Sequence, residues 1–392
     1  MRPKSQFKRV FFIGAGFSAG MHYPVGSELM QRLIGYLNGE PEAEALQLGG
    51  FTNSVRNAGE DCRTRASKIV AVIERVLRRY LGVKLQAIDQ VAVAEFFTMA
   101  HTLSDSPWLL ARGHGMTSRS IVNSDETSEL TLFRDLAAVT RSYFQDISEV
   151  FRPPNDIQSV LSLIRLRPED NAVINFNWDE EVELALSSGD GDVAYTLGSW
   201  HEQRTHTLVL KPHGSIGWYD LQQGIANTGA YLIIADHDVP RYERRIVSYS
   251  QNELPMDLDG ETPHSPLSCP PVITAPTFAK RFEYVEQHRI WQDVIDVCSA
   301  ATEFVFLGYS LPRDDFLTRA AIRSSIGSQR RAQSIKCLVL DRGFDDAKLL
   351  NFLSVFSGFS LDHNHLKWNF GANSPGLDKS IRSRLRAATL PR

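Results

Sequence analysis

Three polar side chains stand just past short apolar runs and have the chemistry of a reaction centre: Asn177, Asp179 and His213. An amide offers two donors and an acceptor, which suits it to orienting a water molecule or a sugar hydroxyl. A histidine, with an unperturbed pKa of about 6.5, can take a proton near neutrality. Upstream, the run Val10-Phe11-Phe12-Ile13 feeds into Gly14-Ala15-Gly16-Phe17-Ser18-Ala19-Gly20. Glycines let a backbone approach a pyrophosphate, and the free N–H groups at a helix start add donors and partial positive charge. Each feature also has an ordinary structural reading. A glycine turn can simply pack a strand against a helix, Asn177 and Asp179 can be turn or N-cap residues, and His213 can be a satisfied core histidine.

The elements that must position these residues follow from periodicity. Residues 8–38 read as strand, glycine turn and amphipathic helix, with Pro24 and Gly26 as punctuation, Ser27 as the N-cap, and Leu29, Leu33, Ile34 and Leu37 on one face. Helical patterns follow at 66–81, 91–103 and 130–151, with a polar loop at 113–126. Strand patterns return at 172–176, 207–210, 271–274, 303–307 and 335–340, with a further short one at 231–234. Helical patterns lie among them at 180–186, 283–299, 315–326 and 344–354. The expected architecture is α/β: a Rossmann-like parallel sheet with helices on both faces, plus an inserted helical subdomain. Residues 1–40 and 166–345 make the core, 41–165 the insert, and 346–392 a helical, basic extension.

Ligands of such sheets bind outside the carboxyl ends of the strands. The residues just past the strands are Asn175-Phe176-Asn177-Trp178-Asp179, Lys211-Pro212-His213-Gly214-Ser215, Ala275-Pro276-Thr277, Gly308-Tyr309-Ser310-Leu311-Pro312 and Asp341-Arg342-Gly343. Singly each is a turn; together they converge on one edge, as a ligand site requires.

Several classes are excluded. No GxxxxGK[ST] stretch occurs, so this is not a P-loop nucleotidase. No second strand ends in an acid about 20 residues past the glycine turn, which disfavours a standard dehydrogenase. A net charge of −4 gives no general reason to expect direct nucleic-acid binding. Lys379, Arg382, Arg384, Arg386 and Arg392 cluster near the C-terminus and read as a solvated helical face or an oligomer contact. Cys62, Cys269, Cys298 and Cys337 form no CxxC pair and offer neither a zinc nor a disulfide framework. His363 and His365 read as a surface loop rather than metal ligands, His201 and His206 take no role, and Trp218 and Tyr219 read as core. With no apolar run near the roughly 20 residues of a bilayer span and a polar start, the expectation is a cytoplasmic protein without membrane contact.

The ordered set GAGFSAG, NFNWD, KPHGS and GYSLP resembles the nicotinamide-dinucleotide-binding core of the sirtuin superfamily. It is most similar to the zinc-free bacterial sirtuin-like NAD hydrolases of antiphage defence, with their GAGxS turn, TNYD-like, HGS and GYSL segments. The resemblance covers roughly 8–38 and 170–343; the helical insert matches in type alone. Protein deacylases of the superfamily carry two CxxC pairs, an Asp-Phe-Arg after the glycine turn, and Gln-Asn-Ile-Asp. Here the cysteine pairs are absent, the turn continues Tyr23-Pro24-Val25-Gly26, and Phe176-Asn177-Trp178-Asp179 replaces the last motif without its glutamine.

The resemblance therefore implies cleavage of NAD+ itself to nicotinamide and ADP-ribose, with NAD as substrate and no metal. It implies Gly14, Ala15, Gly16, Phe17 and Ser18 around the pyrophosphate, Asn177 under the ribose, and Asp179 on the carboxamide. His213 would meet a ribose hydroxyl or act as general base; Gly308, Tyr309 and Ser310 would line the adenosine side, with Asp341 near its ribose. It also implies an NAD-depleting effector held in check by assembly, as a homo-oligomer and with a separately encoded activator such as a HerA-type ATPase or an Argonaute-like protein. The alternatives are a sirtuin-type ADP-ribosyl transferase or deacylase, and a non-catalytic NAD- or ADP-ribose-binding assembly subunit.

Overall fold

The structure is a computed structural model that describes residues 7–39, 60–105, 129, 131–150, 153–187, 193–195, 207–220, 246–248, 271–274, 285–313, 315–327, 335–341, 345–356 and 361–367. The chain divides into two compact units, one of 1–23, 151–215 and 281–392, the other of 24–150 and 216–280.

The first unit holds a seven-stranded sheet in the order β3-β4-β2-β1-β7-β8-β9. Its strands are β1 (Arg9–Ile13), β2 (Asn171–Asn175), β3 (Val193–Tyr195), β4 (Thr207–Leu210), β7 (Glu303–Leu307), β8 (Ile335–Asp341) and β9 (Leu361–Lys367). Every pairing in it is parallel. A parallel sheet is covered on both faces, which is why β1, β2 and β4 are apolar-rich and buried at every position rather than alternating. On one face Phe12 stacks on Phe306 with centroids 4.5 Å apart, and Phe352 meets Phe306 edge-on at 4.8 Å. Phe352 comes from the helix Asp346–Val355, whose N-cap Asp345 accepts from the Lys348 N–H.

Strand β1 sits in the middle. The chain passes from it to β2 on one side and, after β4, to β7 on the other. That reversal makes the carboxyl edge around β1 the topological switch point of the sheet. Four short segments end there: Ala15–Ser18 (helix α1) after β1, the loop between β2 and the helix Glu181–Ser187, residues 211–215 after β4, and 308–313 after β7.

The second unit contains helices α2 (Gly26–Leu37), α3 (Glu60–Val76), α4 (Val93–Asp105) and α5 (Leu132–Val150), and a small antiparallel pair, β5 (Trp218–Asp220) and β6 (Ile246–Ser248). Polar bonds tie its helices: Tyr36 Oη donates to Asp146 Oδ2 (2.8 Å), and Arg65 pairs with Asp135 (2.9 Å). The contacts of α2 with α3, α4 and α5 group it with this unit, whereas the sequence pattern counted it with the core. It also starts two residues early, with Val25 rather than Ser27 in the capping position.

Three sequence expectations need correction. Residues 271–274 do not form a sheet strand; they make a single bridge, and Val272 N–H bonds to the Trp218 carbonyl at 2.7 Å in the second unit. Pro270 and Pro271 remove two consecutive ladder donors at its start. His363 and His365 lie in β9, paired in register with Cys337 and Val339, not in a loop. The sheet gains β3, which is only three residues long, and β9, whose polar composition hid it from hydrophobic periodicity. The expected loop 113–126, the strand at 231–234, Ala275-Pro276-Thr277, His201, His206, Arg342-Gly343 and the basic cluster lie outside the described residues. Among the described residues no helix is long and apolar enough to cross a membrane.

Candidate active site

The glycine turn is shaped by contact with the loop after β7. Gly16 N–H donates to the Gly308 carbonyl (3.0 Å), and Gly14 N–H to that of Leu307 (3.1 Å). Gly308 has φ +60°, and a Cβ there would fall 2.1 Å from Phe17 N. A Cβ on Gly14 would fall 2.7 Å from the Tyr309 ring. Two backbones thus meet where no side chain fits. These glycines have a packing reason that stands independently of any ligand.

Asn177 ties this turn to β2. Its Nδ2 donates to the Gly14 carbonyl (3.0 Å) and to Ser18 Oγ (2.7 Å), and its N–H to Asn175 Oδ1 (3.1 Å). Both amide donors are spent, and Oδ1 keeps no partner among the described residues. The Ser18 hydroxyl also bonds the Asp179 carboxylate. Asp179 Oδ1 accepts from the Glu181 N–H (3.3 Å), which starts the helix α6 (Glu181–Ser187).

Asp179 belongs to a buried charged cluster that sequence reading did not single out. Asp179, Glu180, Glu181 and Glu183 are all buried, as is Lys211 from the end of β4. Lys211 Nζ lies 3.2 Å from Glu183 Oε1 and donates to the Asp179 carbonyl at 2.5 Å. Ser215 Oγ approaches Glu180 Oε1 (3.4 Å), and Tyr23 Oη donates to Glu181 Oε1 (2.8 Å). Taking carboxylates out of water around one ammonium is costly, and two of these groups show it. Burial pushes the Asp179 carboxyl up to about 6, against the pull of Lys211. Burial likewise pushes Glu180 up to about 7, with Glu183 adding repulsion. Perturbed carboxyls of this kind gather at functional sites. The signal available in the sequence was the run Asp179-Glu180-Glu181 followed by Glu183.

His213 lies in a second group. Its Nε2 is 3.5 Å from Asp315 Oδ2, and its ring centroid is 5.0 Å from that of Phe176. Phe176 stacks on Tyr309 at 4.2 Å, and Tyr309 Oη donates to Asp315 Oδ2 at 2.5 Å. Phe176 is the neighbour of Asn177 and Tyr309 that of Gly308, so the aromatic pair links both groups. Ser310 follows, half-buried, and precedes Leu311 with φ 48°. Asp341 ends β8, buried, with its Oδ1 2.7 Å from Lys348 Nζ. Ala15 is exposed and Phe17 fully buried, so only the first faces outward from α1. No cluster of His, Cys, Asp and Glu suited to a metal occurs among the described residues. Cys298 and Cys337 are buried free thiols, pushed up by burial.

Comparison with known proteins is sparse. No family model matches the sequence. No curated protein matches it either. Among solved structures, that of Sir2Tm bound to a propionylated peptide is similar at a TM-score of 0.33 and 10% identity, over 98% of this chain and 94% of that one. At that level neither residues nor a reaction transfer from one chain to the other.

Proposed function

We propose that this chain is an NAD+ glycohydrolase. Water adds to the ribose carbon that carries nicotinamide, the glycosidic bond breaks, neutral nicotinamide leaves, and ADP-ribose and a proton result. The leaving group is already cationic, so catalysis needs positioning and charge stabilisation more than a strong acid. The observation that carries the reading is the state of Asn177. Its donors are fixed on Gly14 and Ser18, which leaves Oδ1 as an acceptor for a water or a ribose hydroxyl at the switch point. The buried Asp179 carboxylate beside it suits an oxocarbenium-like transition state. His213, held near Asp315, serves as base or as ribose partner. The ordered motifs support NAD+ as the ligand.

The wider role rests on family resemblance alone: a cytoplasmic effector that drains NAD+ in antiphage defence, oligomeric, and released by a partner such as a HerA-type ATPase. The first experiment incubates the purified protein with NAD+ and follows nicotinamide and ADP-ribose by chromatography. Nicotinamide release that falls at least about 10²-fold in both Asn177→Ala and His213→Ala is expected. NAD+ recovered intact, with candidate partners added, overturns it. A second reading, a non-catalytic binding subunit, draws on the engagement of Asn177 and of the Gly16 N–H within the protein itself. Tight binding of NAD+ that is recovered whole would decide for that reading. ADP-ribose transferred to an acceptor, or an acyl group lost from a peptide, would instead mark a transferase or deacylase.

A further inference from the structure

The loop between β2 and α6 carries Asn177 and Asp179, and three side chains outside the reaction scheme hold it from two sides. Ile174 pairs with Leu210, so Lys211 leaves β4 level with Asn175 on β2. Asn175 Oδ1 accepts from the Asn177 N–H (3.1 Å), while its Nδ2 donates to Glu183 Oε1 (2.9 Å). Glu183 Oε1 in turn lies 3.2 Å from Lys211 Nζ, which donates to the Asp179 carbonyl (2.5 Å). The circuit runs from one end of the loop, through two strands and a helix, back to the other end. Its ion pair is out of water, with side-chain exposures of 0% for Lys211 and 3% for Glu183. Glu183 Oε2 is buried there with no hydrogen-bond partner among the described residues. Replacing a buried ion pair by an apolar pair of similar volume is often neutral or stabilising, so stability alone does not account for this one. A buried ammonium is justified here by what it fixes: one carbonyl and one carboxylate, at a defined point.

We propose that Lys211 is a positioning residue which, with Glu183 and Asn175, locks the loop so that Asn177 and Asp179 keep one geometry against the substrate. The proposal rests on the reading of those two residues as the reacting end of the site. Lys211 touches no substrate in it. It acts through the backbone of Asp179, and Glu183 and Asn175 carry the constraint to Asn177.

The test compares the wild-type chain with the double variant Lys211→Met/Glu183→Leu, which removes both partners of the ion pair together. Because Lys211 also offsets the Asp179 and Glu180 carboxyls, kcat is read across pH so that a raised Asp179 is told apart from a displaced one. Asn175→Ala is the second variant; it keeps the ion pair and cuts the side-chain links to Asn177 and Glu183. Thermal melting first establishes that each is folded. Amide hydrogen exchange is then read over 176–180, alongside kcat and KM for NAD+. Exchange in the loop should rise about tenfold or more while β1 and β7 keep their protection. The kcat should fall about 10²-fold with little change in KM, as a displaced catalytic group predicts. A folded variant with unchanged loop exchange overturns the proposal, and so does a loosened loop with unchanged kcat. Should the wild type leave NAD+ intact, the hydrolase reading fails on its own, and loop exchange alone decides the clamp.

Discussion

On the β1–β7 side of the sheet edge, backbone meets backbone; on the β2–β4 side, charge meets charge. Gly14, Gly16 and Gly308 are bound by close approach, with no room for a Cβ on any of them without displacement. Lys211, Asp179, Glu180 and Glu183 are bound by a buried electrostatic balance that any change of protonation alters. Asn177 joins the two, since its side chain reaches the glycine turn while its N–H belongs to the charged side. A shape-fixed wall is indifferent to pH and intolerant of volume. A charge-fixed wall has the opposite sensitivities.

That contrast can be broken most forcefully at Gly308. Gly308→Ala adds a Cβ against the Phe17 nitrogen at a φ of +60°. Strain and overpacking together should cost about 3 kcal/mol or more in urea unfolding. Gly26→Ala is the control: a Cβ there meets nothing within 4 Å, and stability should hold or rise by about 0.5 kcal/mol. A tolerated Gly308→Ala would remove the shape argument.

The charged wall is tested by pH. The folded carboxyls of Asp179 and Glu180 sit at about 6 and about 7, above the 3.8 and 4.5 of their unfolded forms. The folded state therefore holds the extra protons. Their stabilising contribution is fully present below about pH 4 and is lost as pH rises through about 6 and about 7. Shifts of that size correspond to roughly 3 kcal/mol per carboxyl. The double variant Asp179→Asn/Glu180→Gln should flatten the fall in unfolding free energy between about pH 4 and pH 7. Parallel curves for variant and wild type would show that burial does not perturb these groups.

The smallest effect is expected at the seam. Tyr309→Phe keeps the ring stacked on Phe176 but loses the bond to Asp315. A loss of about 1 kcal/mol is expected, seen as a lower urea midpoint with an unchanged slope. A much larger loss would mean that Asp315 depends on Tyr309 rather than on His213 as well.

The sheet was largely legible from composition. The runs at 207–210 and 303–307 match β4 and β7 residue for residue, because a buried parallel strand leaves a short, mostly apolar run. Strand β3 is too short to show it, at three residues, and β9 lacks that signature. The latter reads Leu361-Asp362-His363-Asn364-His365-Leu366-Lys367 and is recognised only by its pairing with β8. The run at 272–274 has the apolar signature without the fate, because Pro270 and Pro271 precede it. Asn177, Asp179 and Lys211 are all legible as residues just past a strand, but the contacts of Lys211 with Glu183 and with the Asp179 carbonyl are not.

The sequence by itself determined that an α/β sheet would form and which strand ends would carry polar residues, since hydrophobic period and glycine position are local properties. Tertiary structure decided the rest. It brought Gly308 against Gly16 across 292 residues of chain, and it set Lys211 level with Asn175 by parallel register. It also decided which carboxyls would leave water, and desolvation is a property of a surrounding that no stretch of sequence contains.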